Sequence, residues 1–150
     1  MSAFFAFLHH IAAFGVVAAL MIEFVLIKGE INLRNAQILL RADSIFGVLG
    51  PVVLVIGILR VIYFEKGSDY YLHSGPFIAK IVVFLTVGLL SLYPKGEFTS
   101  WRAAINQGQA PAIDAATLKT LRLVLHLELV GVTVLILMAA MMARGIGMFE

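Results

Sequence analysis

The chain has 150 residues, 61% hydrophobic and 13% charged, with a mean hydropathy of +1.01. A soluble domain is about 45–50% apolar and about 25% charged, so the composition argues against a soluble globular enzyme. Eleven basic residues against nine acidic ones, for a net charge of +2, are too few and too dispersed for a nucleic-acid surface. The absence of Cys excludes disulfides, thiolate zinc sites and Cys-ligated iron–sulfur clusters. What remains is a small multi-pass membrane protein, one domain over residues 1–150 in contact with the lipid bilayer.

A helix needs roughly 20 apolar residues to cross about 30 Å of hydrocarbon. Four runs meet that length: Ala3 to Ile27, Ser44 to Phe64, Pro76 to Tyr93, and Leu118 to Ala143. None alternates as a barrel strand does, so the expectation is all-α, a bundle of four transmembrane helices. The first run lacks a basic leader and is interrupted by His9, His10 and Glu23, so it reads as a retained helix rather than a signal peptide. Between the first two spans, Lys28 to Asp43 is polar with Leu33, Ala36 and Leu40 at helical spacing, which predicts a short interfacial helix. Glu65 to Gly75 is a turn-rich loop with two Tyr at interface level. Lys95 to Thr117 is the longest connection, broken by Gly108 and Pro111, with Trp101 expected at the headgroups.

Basic residues set the orientation. Lys28, Arg34, Arg41, Lys95, Arg102, Lys119 and Arg122 gather on one side, against Lys66 and Arg144 on the other. The positive-inside rule places the larger set in the cytoplasm, the interfacial helix in the first cytoplasmic loop, and both termini outside.

Ionisable groups within a span cost roughly 2.5–3.5 kcal/mol each at the bilayer centre on insertion scales, and usually face protein or water. His9, His10, Glu23, Asp43, Arg60, Lys80, His126 and Glu128 lie within or at the ends of the spans. Depth divides them. His9, His10, Arg60 and Lys80, with Tyr63, Tyr70, Tyr71 and His73 at or beyond their level, form an outer cationic set. Glu23, Asp43, Arg122, His126 and Glu128 form an inner mixed set whose acids and bases can neutralise one another.

Helix phase refines this. His9 lies within about 40° of Glu23 on a face with Ala12, Val16 and Ala19, while His10 is displaced by about 100°. His9 is therefore the preferred ligand of the two. Asp43, Gly47, Gly50, Leu54 and Gly57 form one stripe on the second span, with Arg60 at its edge. That stripe serves either close helix packing or a slot for a planar cofactor. His126 and Glu128 point about 160° apart, so one of them meets a second subunit unless the fourth span is sandwiched. A homodimer is the resulting expectation.

Histidine without cysteine suits haem or a transition metal. His9 or His10 would ligate haem b, with Arg60 and Lys80 holding propionates or Lys80 as second ligand, and Gly47, Gly50 and Gly57 giving the flat face. His126 lies in the opposite half, which disfavours a bis-His pair. The alternative is copper or another metal on His9 and His10. No phosphate loop, GxSxG, HExxH or inverted repeat is present.

The segments LHHIAAFG, GILRVIYFEKGSDYYLHSGPFIAK, LRLVLHLELVG and ARGIG resemble an uncharacterised family of small bacterial predicted membrane proteins over essentially the whole chain. The order of His, then Asp, Gly-rich and Arg, then aromatic-x-x-Lys, then Arg and acid is similar to the HemJ-type membrane protoporphyrinogen oxidases and to CopD-like membrane domains. The HemJ likeness implies haem b, with His9 or His10 and Lys80 as important positions and Arg60 as the helix 2 Arg. This chain has Phe77 where that pattern usually has Trp, His126-Leu127-Glu128 where it has an Asn-Glu pair, and two adjacent His.

The expectation is a bacterial inner-membrane haem b redox protein, acting on a porphyrinogen or exchanging electrons with a quinone or small oxidant. Glu23, Asp43, His126 and Glu128 would form a proton path toward the cytoplasm. A metal-binding or transport accessory protein without haem, and a cofactor-free assembly subunit, are the alternatives.

Overall fold

A computed structural model of the chain describes residues 2–63 and 71–147. Among them every regular element is helical: α1 (Ser2–Leu26), α2 (Leu33–Tyr63), α3 (Gly75–Leu90), α4 (Leu92–Ser100), α5 (Arg102–Asn106) and α6 (Ala115–Ala143). Four stretches are long and apolar enough to cross a membrane: α1, α2, the run from α3 through α5, and α6. The four spans expected from hydropathy are all present. Phe64, where the second was expected to end, and Glu65 to Tyr70 of the following loop lie outside the described residues, as does Lys66 on the sparsely basic side.

The boundaries differ in two places. The polar stretch after α1 is not a separate interfacial helix but the first turns of a 31-residue α2. Asn32 starts it, its Oδ1 accepting from Asn35 N–H at 2.9 Å and its carbonyl from Ala36 N–H at 2.9 Å. Nothing between Arg41 and Ser44 breaks the ladder, and the Ser44 hydroxyl returns to Leu40 O at 2.8 Å. Ala36 and Leu39 are fully buried, so tertiary packing holds this segment in line with the span. The second difference follows α3. The chain runs on through short helices to Asn106, with breaks at Ser91 and Trp101. Pro94 explains the first: proline lacks the N–H and its ring crowds the carbonyl four residues earlier. The helix ends where Gly108 takes a left-handed φ of 72°.

Asp114 caps α6, Oδ1 accepting from Ala116 N–H and Thr117 N–H, both at 2.9 Å. At the far end Gly145, φ 67°, closes a Schellman turn, with Ile146 N–H to Met141 O and Gly145 N–H to Met142 O at 3.1 Å each. Gly75 N–H donates to Gly147 O at 2.9 Å, which brings the end of α6 beside the start of α3.

The close helix pairs are α1 with α2, α3 with α6, α1 with α6, and α2 with α4. Glycines set two of them. Gly15 receives Leu49 of α2, and Gly131 receives Val87 of α3, each where a Cβ would collide with the partner. α3 does not pack closely on α1 or α2. The core is concentrated at one end: Leu20 and Ile27, Ala36 and Leu39, Phe98 and Trp101, Leu121 and Leu125. Trp101 is buried there, its ring 4.9 Å from that of Phe98, so it packs into the protein core rather than presenting its ring outward. The continuing helix α4 folds it inward. Large apolar side chains such as Phe7, Phe14, Val48, Leu89 and Ile136 face outward, an arrangement that suits lipid and not water.

Candidate functional site

The ionisable groups of the spans gather toward the two ends of the bundle, and each end draws its groups from several helices. The first is the His9 end. His9 lies two turns into α1 and its ring rests on α2 at Gly57. A Cβ at position 57 would stand 3.2 Å from Cε1 and 3.8 Å from Nδ1, so the glycine is what admits the imidazole. Nδ1 is buried and makes no hydrogen bond, although the Val53 backbone is close enough to interact with the ring. Lys80 of α3 and Arg60 of α2 are the charges that bear most on His9, followed by His10. Lys80 and Arg60 are both half-buried.

His10 points the other way. It is exposed, and its Nδ1 donates to Ala6 O at 2.6 Å, one turn back on its own helix. The carbonyl can only accept, which assigns the proton to Nδ1. The two imidazoles stand 6.1 Å apart at 83°. Of the adjacent pair, His9 alone meets Arg60 and Lys80 across helices.

The glycine stripe of α2 is not one continuous slot. Gly57 is covered by His9, Gly47 has Lys95 Nζ 3.8 Å from where its Cβ would be, and only Gly50 is open. The Tyr71 ring lies against that of Phe77, centroids 5.2 Å apart and planes tilted by 49°, while His73 is exposed. Tyr70 lies outside the described residues.

At the Lys95 end, Glu23 of α1, Asp43 of α2 and Glu128 of α6 are buried near enough to act on one another electrostatically. They are 2%, 7% and 1% exposed. Asp43 and Glu128 are the charged groups that bear on Glu23, and Asp43 bears on Glu128. Lys95 and Arg102, both exposed, bear on Asp43. Oε1 of Glu23 and Oε1 of Glu128 are buried without a hydrogen-bond partner.

Two expected members of this set stand apart. Arg122 does not neutralise the acids: its Nε donates to Ile27 O at 3.0 Å and its Nη2 to Lys28 O at 3.3 Å, closing the C-terminus of α1. Carbonyls at the end of a helix lack intrahelical partners and carry the partial negative end of the helix dipole, which a guanidinium can satisfy. His126 is exposed, its ring 6.0 Å from Phe24, whose other partner is Lys28 with Nζ 3.7 Å from the ring centroid. Their phase keeps the two residues on opposite faces, and the packing gives Glu128 the inward face and His126 the outward one. The sequence offered Lys95 only as a loop charge. Its place over Gly47 follows from the helical continuation past Ser91, which no signal in the sequence announces.

A family model described as "Predicted membrane protein (DUF2214)" matches residues 1–147. The chain belongs to this family. The whole-chain resemblance carried by the LHHIAAFG and YFEKG segments is thereby borne out, and the DUF2214 description agrees with the four spans. No curated protein and no solved structure matches the chain.

Proposed function

We propose that this protein is a haem b-binding redox protein of the bacterial inner membrane, with its prosthetic group at the His9 end. The observation that carries the reading is His9 itself, an inward imidazole seated on glycine, with a buried nitrogen left unpaired. A histidine ligand characteristically uses one ring nitrogen for the metal and orients the other on a carbonyl or carboxylate, and Val53 supplies a nearby backbone group. Arg60 and Lys80 supply cations for two propionates, and the loose contact of α3 with α1 and α2 leaves separation between the elements that carry them. When bound, haem supplies one-electron chemistry.

The chain's own residues have separate tasks. His9 binds and orients, Gly57 admits the ring, Arg60 and Lys80 hold negative charge, and the outward apolar side chains keep the site in lipid. A porphyrinogen, another tetrapyrrole or a quinone as reactant, both termini outside, and a homodimer contact through exposed His126 belong to the same proposal.

The test is an absorption spectrum of protein purified after expression with a haem precursor. A Soret band that survives His10→Ala and is lost in His9→Ala supports the reading. Its absence from the wild-type protein overturns it. Metal analysis of the same sample separates the copper alternative.

A further inference from the structure

The three carboxyls at the Lys95 end, which the sequence grouped with His126 as a proton path, take no part in binding at His9, and exposed His126 does not join them. Glu23 and His9 are fourteen residues apart on α1, about 21 Å along the helix axis. Buried Ala12, Ala19 and Leu20 lie between them. The carboxyls are therefore a site of their own.

Three features define that site. Each acid comes from a different helix, so the bundle must close for them to meet. Two are almost wholly buried and each holds an oxygen aimed at no donor. The basic groups at this end are spoken for or face the edge. Arg122 is bound to the end of α1, while Lys95 of α4 and Arg102 of α5 are exposed and act on Asp43. α3 brings only Lys80, which stands at the His9 end.

A carboxylate buried with like neighbours and no donor is a state that proteins avoid by taking up a cation or a proton. Among the described residues no group of three His, Asp or Glu is placed to hold a metal ion. The proton is the cation that fits. Asp43 is the acid on which exposed Lys95 and Arg102 act, and it is the most exposed of the three.

We propose that Glu23, Asp43 and Glu128 form a proton-binding site within the membrane, in which Glu23 and Glu128 hold the proton and Asp43 passes it to the Lys95 end of the bundle. The transfer moves a proton between carboxyl oxygens with no change of oxidation state. It requires no cofactor at His9.

Infrared spectroscopy of the full chain in lipid nanodiscs at neutral pH reads this directly. The wild-type protein should show the carbonyl stretch of a protonated carboxylic acid, shifting on transfer to D2O. Glu23→Gln and Glu128→Gln should each remove part of the band. Asp43→Asn should keep the band and slow its shift in D2O severalfold. A wild-type spectrum without the band overturns the site, and an unchanged exchange rate in Asp43→Asn overturns the relay. Labelling of the wild-type chain by a hydrophobic carbodiimide, with adducts located by peptide mass spectrometry, requires no variant to fold. Adducts on Glu23 or Glu128 support the proposal, and their absence overturns it. Because the band is independent of haem, this result and the Soret test can fail separately.

Discussion

His9 and Gly57 show how much one missing methyl group decides. The imidazole lies so close to α2 that a Cβ at 57 meets Cε1 at 3.2 Å, tighter than ordinary van der Waals contact. Gly50, on the same stripe, has nothing within 4 Å of its Cβ position. Gly57→Val should overpack the contact and destabilise the protein by about 1–3 kcal/mol. Gly50→Ala should be neutral or slightly stabilising, since alanine is the better helix former by about 1 kcal/mol. Thermal unfolding of the two variants in one detergent checks the contrast. Equal melting temperatures would show that the ring does not rest on residue 57.

Single elements are bounded by local chemistry that the sequence displays. Asn32, Pro94, Gly108, Asp114 and Gly145 start, break or stop helices by capping, by a missing N–H or by a left-handed turn. Asp114 has a pH consequence. Its carboxyl is held below the ordinary carboxylate value, first by the Thr117 hydroxyl, which donates at 2.6 Å, and then by the Thr117 N–H. A lowered native value stabilises the folded end of α6 above the ordinary carboxylate range. That contribution is lost as pH falls through the native value. Trp101 lies with Asp114 and Thr117 in the lining of one open cavity of about 280 Å³, and it is the only tryptophan. Its emission should therefore change on acid titration in the wild-type protein, and that transition should be absent in Asp114→Ala. A transition that persists in the variant would assign it to another group.

Across the whole molecule, the two ends act as separate sites on one scaffold. Substitutions at His9 and Glu23, about 21 Å apart, should add in their effects on stability to within about 0.5 kcal/mol. A double-mutant cycle on His9→Ala and Glu23→Gln measures this, and a larger coupling would mean that the ends communicate through α1. Hydropathy and helix phase were enough to determine four spans, the opposed directions of His126 and Glu128, and the sorting of ionisable groups into two sets along the spans; which of the two residues faces inward was decided by the packing. The first three follow from periodicity along a single helix and from the cost of charge in hydrocarbon. The same rules could not show that α2 absorbs the interfacial segment, that Arg122 closes α1 instead of pairing with the acids, or that Trp101 turns inward. Nor could they show that His9 fills the glycine it faces. Each depends on which neighbouring helix stands within reach of a side chain, and that distance exists only once the bundle has closed.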